Sequence, residues 1–342
     1  MIIRDAIETD NLKMLAIQKS ASQIGEFEIT IIKKDFKSKS NFYRDGFFLV
    51  AEDEKTADII GFLGIGIDEF KVKDKVYKGA YLYDLRTNPK YRGKVARWLK
   101  GVAEETNRRL KQLGIDFYFA SIKADNLPSM KLLKHFNMMP AYGYITYALP
   151  VFNKKIVKKV KIEDSFKVKE LEYFYSESNQ EFDFLPVNLN HNFLYIFHEE
   201  KRLIRLRYQS AQIIGWDTKD IADIGLVNVT TKYKMILNTL YATSKIIPFV
   251  NAPVLNKTMK TFRILKYEYK REKDFRILLN ALNGYCYQNH FYLILFFLPK
   301  NQSFNKKILG KLTFKTDLVV AASPVTDVDF SDLKNLIVLP RI

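Results

Sequence analysis

The sequence predicts a mixed α/β fold arranged in two lobes. Strand-like and helix-like segments alternate through residues 1–150, and a similar alternation returns in the second half. The 342 residues are about twice the usual length of a domain, so we expect two domains. With 47% hydrophobic and 27% charged residues, the composition is that of an ordinary globular protein. We place a first domain at 1–150, a basic linker at 151–161 and a second α/β domain at 162–342.

The first half is predicted to follow the order β-α-α-β-β-β-α-β-α-β. Alternating or continuous apolar runs predict strands over residues 2–6, 47–51, 59–67, 77–87, 115–122 and 142–149. Thr9-Asp10 is a capping signal for a first helix, and a second helix is expected near residues 26–38. Apolar residues spaced by three and four predict an amphipathic helix from Val95 that Gly114 ends. A shorter helix is expected from Asp125 or Asn126 to about Phe136.

The second half gives a similar succession of elements. The expected strands are residues 193–197, 203–208, 211–214, 224–229, 292–298 and 318–322, and the expected helices are 232–244, 275–287 and a short one from Asn301. The later part of this order repeats that of residues 91–149, which suggests a degenerate second copy of the same fold. Basic and aromatic residues alternate over 266–271. We interpret them as a two-sided edge strand protected by charge, with contact to nucleic acid as the alternative.

Composition limits the classes of function. The formal net charge is +17, which favours anionic partners. The single cysteine, Cys286, cannot form an internal disulfide, and the first residues do not form a secretory leader, so we expect a cytoplasmic protein. Apolar stretches are shorter than the ~20 residues that span a bilayer. The four histidines lack metal-ligand spacing, so no metal is expected.

The strongest chemical signal is the segment from Asp84 to Ala96. A strand runs into a short basic turn containing Arg92, Gly93 and Lys94, and a helix follows. The first N–H groups of a helix lack internal partners and lie at the positive end of its dipole, so they suit a diphosphate. Such a turn can also be a basic helix start on a solvated surface.

This segment resembles the acetyl-CoA pyrophosphate loop of the GNAT superfamily of N-acetyltransferases. Pro89-x-Tyr91-Arg92-Gly93-Lys94 precedes a long helix, as in that family. A second resemblance begins at Asn126 and continues through Ser129 to Leu133, where a capping Asn opens the helix after the next strand. The resemblance covers about residues 1–150 and implies a GNAT-like acyltransferase fold that uses acetyl-CoA.

The resemblance also implies roles for individual residues. The backbone of Leu85, Arg86 and Thr87 would pair with the pantetheine arm, and a bulge in this strand would point one N–H at the thioester carbonyl. The residues implied to hold the pyrophosphate are Arg92, Gly93, Lys94, Val95 and Ala96. Asn126 and Ser129 would lie against the pantetheine or the sulfur.

Two positions depart from the family pattern. Family loops continue with further glycines, whereas Lys94 is followed here by Val95 and Ala96. Many members also have a tyrosine seven residues after the Asn, as general acid for the leaving thiolate, where this chain has Leu133. Tyr142 or Tyr144 is the candidate hydroxyl to replace it, and water is the alternative.

Asp84, at the end of the central strand, is the candidate general base. The alternative is that it forms a structural ion pair. We therefore expect an N-acetyltransferase that moves an acetyl group from acetyl-CoA to a primary amine of a small molecule or peptide, as a monomer or homodimer. The rival hypotheses are an acyl-CoA-binding pseudoenzyme and a basic nucleic-acid-associated protein.

Overall fold

The computed structural model describes residues 1–22, 27–164, 184–187, 202–218, 223–247, 249–300, 313–331 and 333. The helices are α1 (Asp10–Ser20), α2 (Lys37–Ser40), α3 (Val95–Gln112), α4 (Leu127–Leu132), α5 (Thr231–Ile246) and α6 (Glu272–Gln288), with 3-10 helices at Pro89–Lys94 and Leu133–Phe136. The strands are β1 (Ile2–Asp5), β2 (Phe27–Ile32), β3 (Asp45–Glu52), β4 (Ile59–Val72), β5 (Lys75–Thr87), β6 (Phe117–Lys123), β7 (Met139–Pro150), β8 (Lys161–Glu163), β9 (Phe184–Pro186), β10 (Leu203–Tyr208), β11 (Ala211–Asp217), β12 (Asp223–Val229), β13 (Thr258–Met259), β14 (Thr261–Tyr269), β15 (Leu293–Pro299) and β16 (Phe314–Pro324). The strand expected at 193–197 and the helix expected from Asn301 lie outside the described residues.

The strands form one large mixed sheet whose two halves repeat each other. The order is β1-β3-β4-β5-β6-β16-β7-β15-β14-β11-β10-β8, with β9 paired to β4. In the first half β3, β4 and β5 are antiparallel neighbours, and β5 then pairs in parallel with β6. In the second half β10, β11 and β14 repeat that arrangement and β14 pairs in parallel with β15. The helices α3 and α6 connect the two parallel pairs. This is the repeated α/β fold that the sequence suggested.

The two halves exchange a strand at the centre of the sheet. β16, from the end of the chain, pairs with β6 of the first half, and β7 pairs with β15 of the second half. β7 and β16 also pair with each other, which joins the halves into one sheet. Each half thus takes its last strand from the other, so the sheet itself does not separate the halves at residue 150. The domain boundary placed there stays a prediction.

A small second sheet joins the first half to the second at another point. β2 pairs with β12, and β12 pairs with β13. The helix expected near residues 26–38 is therefore wrong, because Phe27–Ile32 is a strand and only Lys37–Ser40 is helical. The segment Phe-Glu-Ile-Thr-Ile-Ile is rich in β-branched residues, which suit a pleated surface. Its partner lies in the other half of the chain.

The edge-strand interpretation of residues 266–271 is confirmed in part. They belong mainly to β14, which lies inside the sheet between β11 and β15. The pairing of β14 with β15 covers only Thr261 to Arg263, after which the two strands separate. Among the described residues, the charged and aromatic part of β14 therefore pairs on one side only, with β11, as an edge strand does.

Buried apolar residues fix α3 against the first half of the sheet. Trp98, Leu99, Val102 and Leu110 are buried on one face of α3, at the spacing that the sequence predicted. Gly114 ends the helix with a φ of 64°, in the left-handed region that favours glycine. Near the start of the chain, Asp10 begins α1, accepts a hydrogen bond from the Ile7 N–H and forms an ion pair with Arg4. None of the described helices is long and apolar enough to cross a membrane.

Candidate active site

A cleft opens where β5 and β6 diverge. Their parallel pairing runs from Gly79 and Phe117 to Leu82 and Ala120 and ends there. Beyond that point β5 stays paired with β4, and β6 stays paired with β16. A gap therefore opens between β5 and β6, although both strands remain part of the sheet. The residues that line this cleft include Asp84, Leu85, Arg86, Ser121, Asn126 and Ser129.

A bulge in β5 lies at the mouth of this gap. Phe62 pairs with Arg86 and Gly64 pairs with Tyr83, so one extra residue of β5 lies opposite Leu63. Asp84 has a φ of 52°, in the left-handed region that aspartate tolerates better than most residues. A bulge leaves its extra residue out of the ladder and turns the strand. The bulge that the resemblance implied is therefore present, at Asp84 and Leu85.

The Asp84 carboxylate lies in a buried cluster of charged side chains. It forms ion pairs with Lys33 and, at 3.4 Å, with Lys39. The side chains of Asp84, Lys33 and Lys39 are 4%, 1% and 5% exposed. Lys39 also lies 4.2 Å above the ring of Tyr83. Arg86 adds a third positive charge, and its Nε is buried without a hydrogen-bond partner in the described part of the chain.

These charges perturb one another in opposite directions. Burial alone would raise the pKa of Asp84, but Lys33, Lys39 and Arg86 outweigh it and hold that pKa well below its usual range. Burial lowers the pKa of Lys33, and Asp84 only partly opposes it. Burial lowers the pKa of Lys39 well below its usual value, again against the attraction of Asp84. Asp84 is thus a stabilised anion and a weak proton acceptor, and its role as general base stays a prediction.

The second motif forms the opposite side of the cleft. Asn126 caps α4, because its Oδ1 accepts a hydrogen bond from the Ser129 N–H at 3.2 Å. Leu133, which stands where many family members have a tyrosine, is buried and lines the cleft. Asn126 and Ser129 therefore lie across the gap from Leu85 and Arg86, as the two motifs implied.

The basic turn before α3 has a different conformation from the one expected. Pro89–Lys94 is a 3-10 helix, kinked at Tyr91, that runs directly into Val95 at the start of α3. Arg92 and Gly93 are exposed, and a Cβ added to Gly93 would meet nothing within 4 Å. Val95 and Ala96, which stand where family loops have further glycines, begin α3 directly after this turn. The turn presents charge and an open backbone surface to solvent.

Neither candidate tyrosine lines the cleft. The Tyr144 hydroxyl forms a hydrogen bond with Ser121, which does line it. Burial raises the pKa of Tyr144 to about 12, so this hydroxyl keeps its proton at neutral pH. Tyr142 is half-buried in the neighbouring apolar cluster. Tyr81 and Tyr83, which sequence reasoning did not select, lie on the cleft wall instead.

The structure therefore brings part of the predicted site together. Asp84, Leu85, Arg86, Asn126 and Ser129 surround one cleft. The predicted residues with described side chains that lie outside its lining are Thr87, Arg92, Gly93, Tyr142 and Tyr144. The structure does not describe the side chains of Lys94, Val95 and Ala96, so their roles stay predictions. Sequence reasoning missed Lys33 and Lys39, because a lysine-rich segment normally indicates a solvated surface.

Comparison with known proteins finds a family match within the first half of the chain. Residues 17–138 match the family model described as Acetyltransferase (GNAT) family. No curated protein matches the chain. The whole fold is similar to that of Saccharomyces cerevisiae N-myristoyltransferase with bound myristoyl-CoA, with a TM-score of 0.60 and 8% identity over 98% of this chain and 89% of that chain. A structure of the same enzyme with myristoyl-CoA and inhibitors gives a TM-score of 0.60 and 9% identity over 98% of this chain and 86% of that one. These similarities confirm the two-lobed GNAT-like fold.

Proposed function

We propose that this chain, whose residues 17–138 match the Acetyltransferase (GNAT) family model, transfers an acetyl group from acetyl-CoA directly to a primary amine. The observation that carries the proposal is the gap between β5 and β6, with a bulge on one side and the Asn126 cap on the other. A strand edge released by such a gap can pair with the amide groups of an extended pantetheine arm. The matched family acts on CoA thioesters, which agrees with that geometry.

The bulge supplies the polar contact that acyl transfer needs. The amine nitrogen attacks the thioester carbonyl carbon, a C–N bond forms, and the C–S bond breaks to release the CoA thiolate. A backbone N–H near Leu85, freed from the ladder, would donate to the carbonyl oxygen as negative charge develops there. The ammonium proton of the acceptor must be lost before attack. Asp84 is the proposed site that attracts this ammonium, and the released proton finally reaches the thiolate.

The second half supports this site structurally. Ile31 of β2 lines the cleft, and β2 is held in place by its pairing with β12. Leu318 of β16 lines it from the other side. We infer that the second half supplies one wall of the acceptor site rather than a second cofactor site.

The acyl group is a separate part of the proposal. Acetyl is the group expected from the family description, whereas the solved neighbour binds myristoyl-CoA. Leu82, Leu132 and Met138 form an apolar part of the cleft lining. A series of acyl-CoA donors from acetyl to myristoyl therefore has to be compared in one assay.

The direct test is release of free CoA from each donor in the presence of a panel of primary amines, with the acylated amine identified by mass spectrometry. Amine-dependent release of CoA together with a new amide supports the proposal. Tight binding of an acyl-CoA without any amide across the panel would identify a non-catalytic binding protein and overturn it.

The binding of the diphosphate is tested by charge reversal. Arg92→Glu should raise the dissociation constant of CoA at least tenfold, because an exposed cation at the turn becomes an anion beside the diphosphate. Lys100→Glu is the matched control, since Lys100 is 75% exposed on α3, the helix that follows the turn, and gives the same change in net charge. Equal affinities in both variants would remove the turn from the cofactor site.

A further inference from the structure

The cleft wall carries more positive than negative charge. Lys39, Arg86 and Lys123 line the cleft together with Asp84, and Lys33 lies directly behind Asp84. Lys123 has Asp125 as a neighbour at 3.7 Å. Among the described residues, Asp84 is the carboxylate that pairs with Lys33 and Lys39 and attracts Arg86. A buried charge without a counter-charge is costly, so a cluster of this composition favours an anionic ligand.

One atom of the cluster points independently to a missing acceptor. The Nε of Arg86 is buried, and it has no hydrogen-bond partner in the described residues. Arg86 Nη1 donates to the carbonyl oxygen of Leu85, at 3.2 Å. Buried guanidinium N–H groups are normally satisfied, and a carboxylate is the acceptor that fits their geometry best.

The cluster places one negative group, Asp84, beside positive groups, Lys39 and Arg86. The Asp84 carboxylate lies at the bulge, where the thioester carbon of the donor would lie, and Lys39 Nζ is 3.4 Å from it. An ammonium group would be attracted to Asp84, while a carboxylate separated from it by one or two carbon atoms would reach Lys39 and Arg86. Both charges of an amino acid zwitterion are matched by this arrangement.

We propose that the acceptor is a small amino carboxylate, a free α- or β-amino acid whose carboxylate binds Lys39 and Arg86 while its amine lies at Asp84. This rests on the proposed acyl transfer and adds the chemical class of the acceptor. A peptide N-terminus is disfavoured, because the group next to its amine is a neutral amide that cannot balance the cluster.

The test compares matched acceptors in the CoA-release assay. Each free amino acid is measured against its own amide and against a tripeptide that begins with the same residue, at equal concentrations of unprotonated amine. The proposal expects a KM at least tenfold lower for the free acid than for the amide or the tripeptide. Equal or better use of amides or tripeptides overturns it, and this comparison needs only the wild-type protein.

A variant then tests the named contact. Lys39→Met should raise the ratio of the KM for the free acid to the KM for its amide at least tenfold, whereas Lys34→Met, which alters an exposed neighbouring lysine, should leave that ratio unchanged. If Lys39→Met instead lowers kcat equally for all acceptors and moves the pH profile, Lys39 acts on a proton and the carboxylate contact is refuted. If no amine of any class releases CoA, the proposed function fails first.

Discussion

Replacing Asp84 with Asn should destabilise the fold more than any exposed ion pair in the chain could. The change leaves Lys33 and Lys39 buried, at 1% and 5% exposure, without their counter-charge. Removing one partner from a buried ion pair typically costs about 3–5 kcal/mol. Loss of a proton from one lysine at pH 7 sets a similar limit of about 4–5 kcal/mol, since its ordinary pKa is about 10.4 and each unit corresponds to about 1.4 kcal/mol. Asn also tolerates the positive φ at this position, so the charge is the main change.

The assay is urea unfolding at pH 7, followed by the fluorescence of Trp98 and Trp216, which are both fully buried. With an m-value of about 3 kcal/mol/M, the midpoint should fall by about 1–2 M. Glu69→Gln is the control, because its pair with Arg44 is exposed and should leave the midpoint unchanged. Adding Lys39→Met to Asp84→Asn should recover part of the loss. An Asp84→Asn midpoint equal to that of the control would refute the reasoning.

Two further predictions concern the same region. Gly93→Ala should leave the unfolding midpoint unchanged, because the added Cβ meets nothing within 4 Å, but it should weaken CoA binding if the diphosphate covers this turn. Gly61→Ala is the contrasting variant: its Cβ would lie 2.6 Å from Trp98 and should lower the midpoint. An unchanged CoA affinity for Gly93→Ala would argue against a role of the turn in binding CoA. The folded protein should also become more stable as the pH rises through the lowered pKa of Lys39 towards the ordinary lysine value of about 10.4. In that range the unfolded chain binds more protons than the folded protein, so stability rises by up to about 1.4 kcal/mol per pH unit. Lys39→Met should flatten that rise in urea midpoints, and an equally steep rise in the variant would contradict the lowered pKa.

Local signals explain the parts of the fold that the sequence predicted correctly. The helix from Val95 to Gly114 could be predicted because its apolar spacing, its start after a turn and its terminating glycine all lie within one segment. Asn126 could be identified as a cap for the same reason. The strand β2 was missed because its regular structure depends on β12, about 190 residues further along the chain, which no local pattern reveals.

The charged cluster was missed for a related reason. Lys33 and Lys39 lie in a segment that contains several lysines, and their burial depends on Asp84 and on the aromatic rings of Phe36 and Tyr83. Nothing in the spacing of these residues indicates that they meet. The sequence could predict that Asp84 lies at the end of the central strand, but its partners depend on how β2 and α2 pack over that strand.

The exchange of strands explains why the first half, which carries the proposed site, would depend on a second half that lacks the phosphate-binding motif. The edge of β6 beyond Ala120 is one wall of the cleft, and β16 from the second half is paired along that same stretch of β6, from Phe117 to Lys123. Without the second half, β6 would lose its pairing with β16 next to the gap, and β2 would lose its pairing with β12. Both sides of the cleft therefore depend on the second half. Selection for this scaffold can preserve the repeated fold of the second half even though Lys270-Arg271, the turn that follows β14, lacks the glycine of the Arg-Gly-Lys turn in the first half.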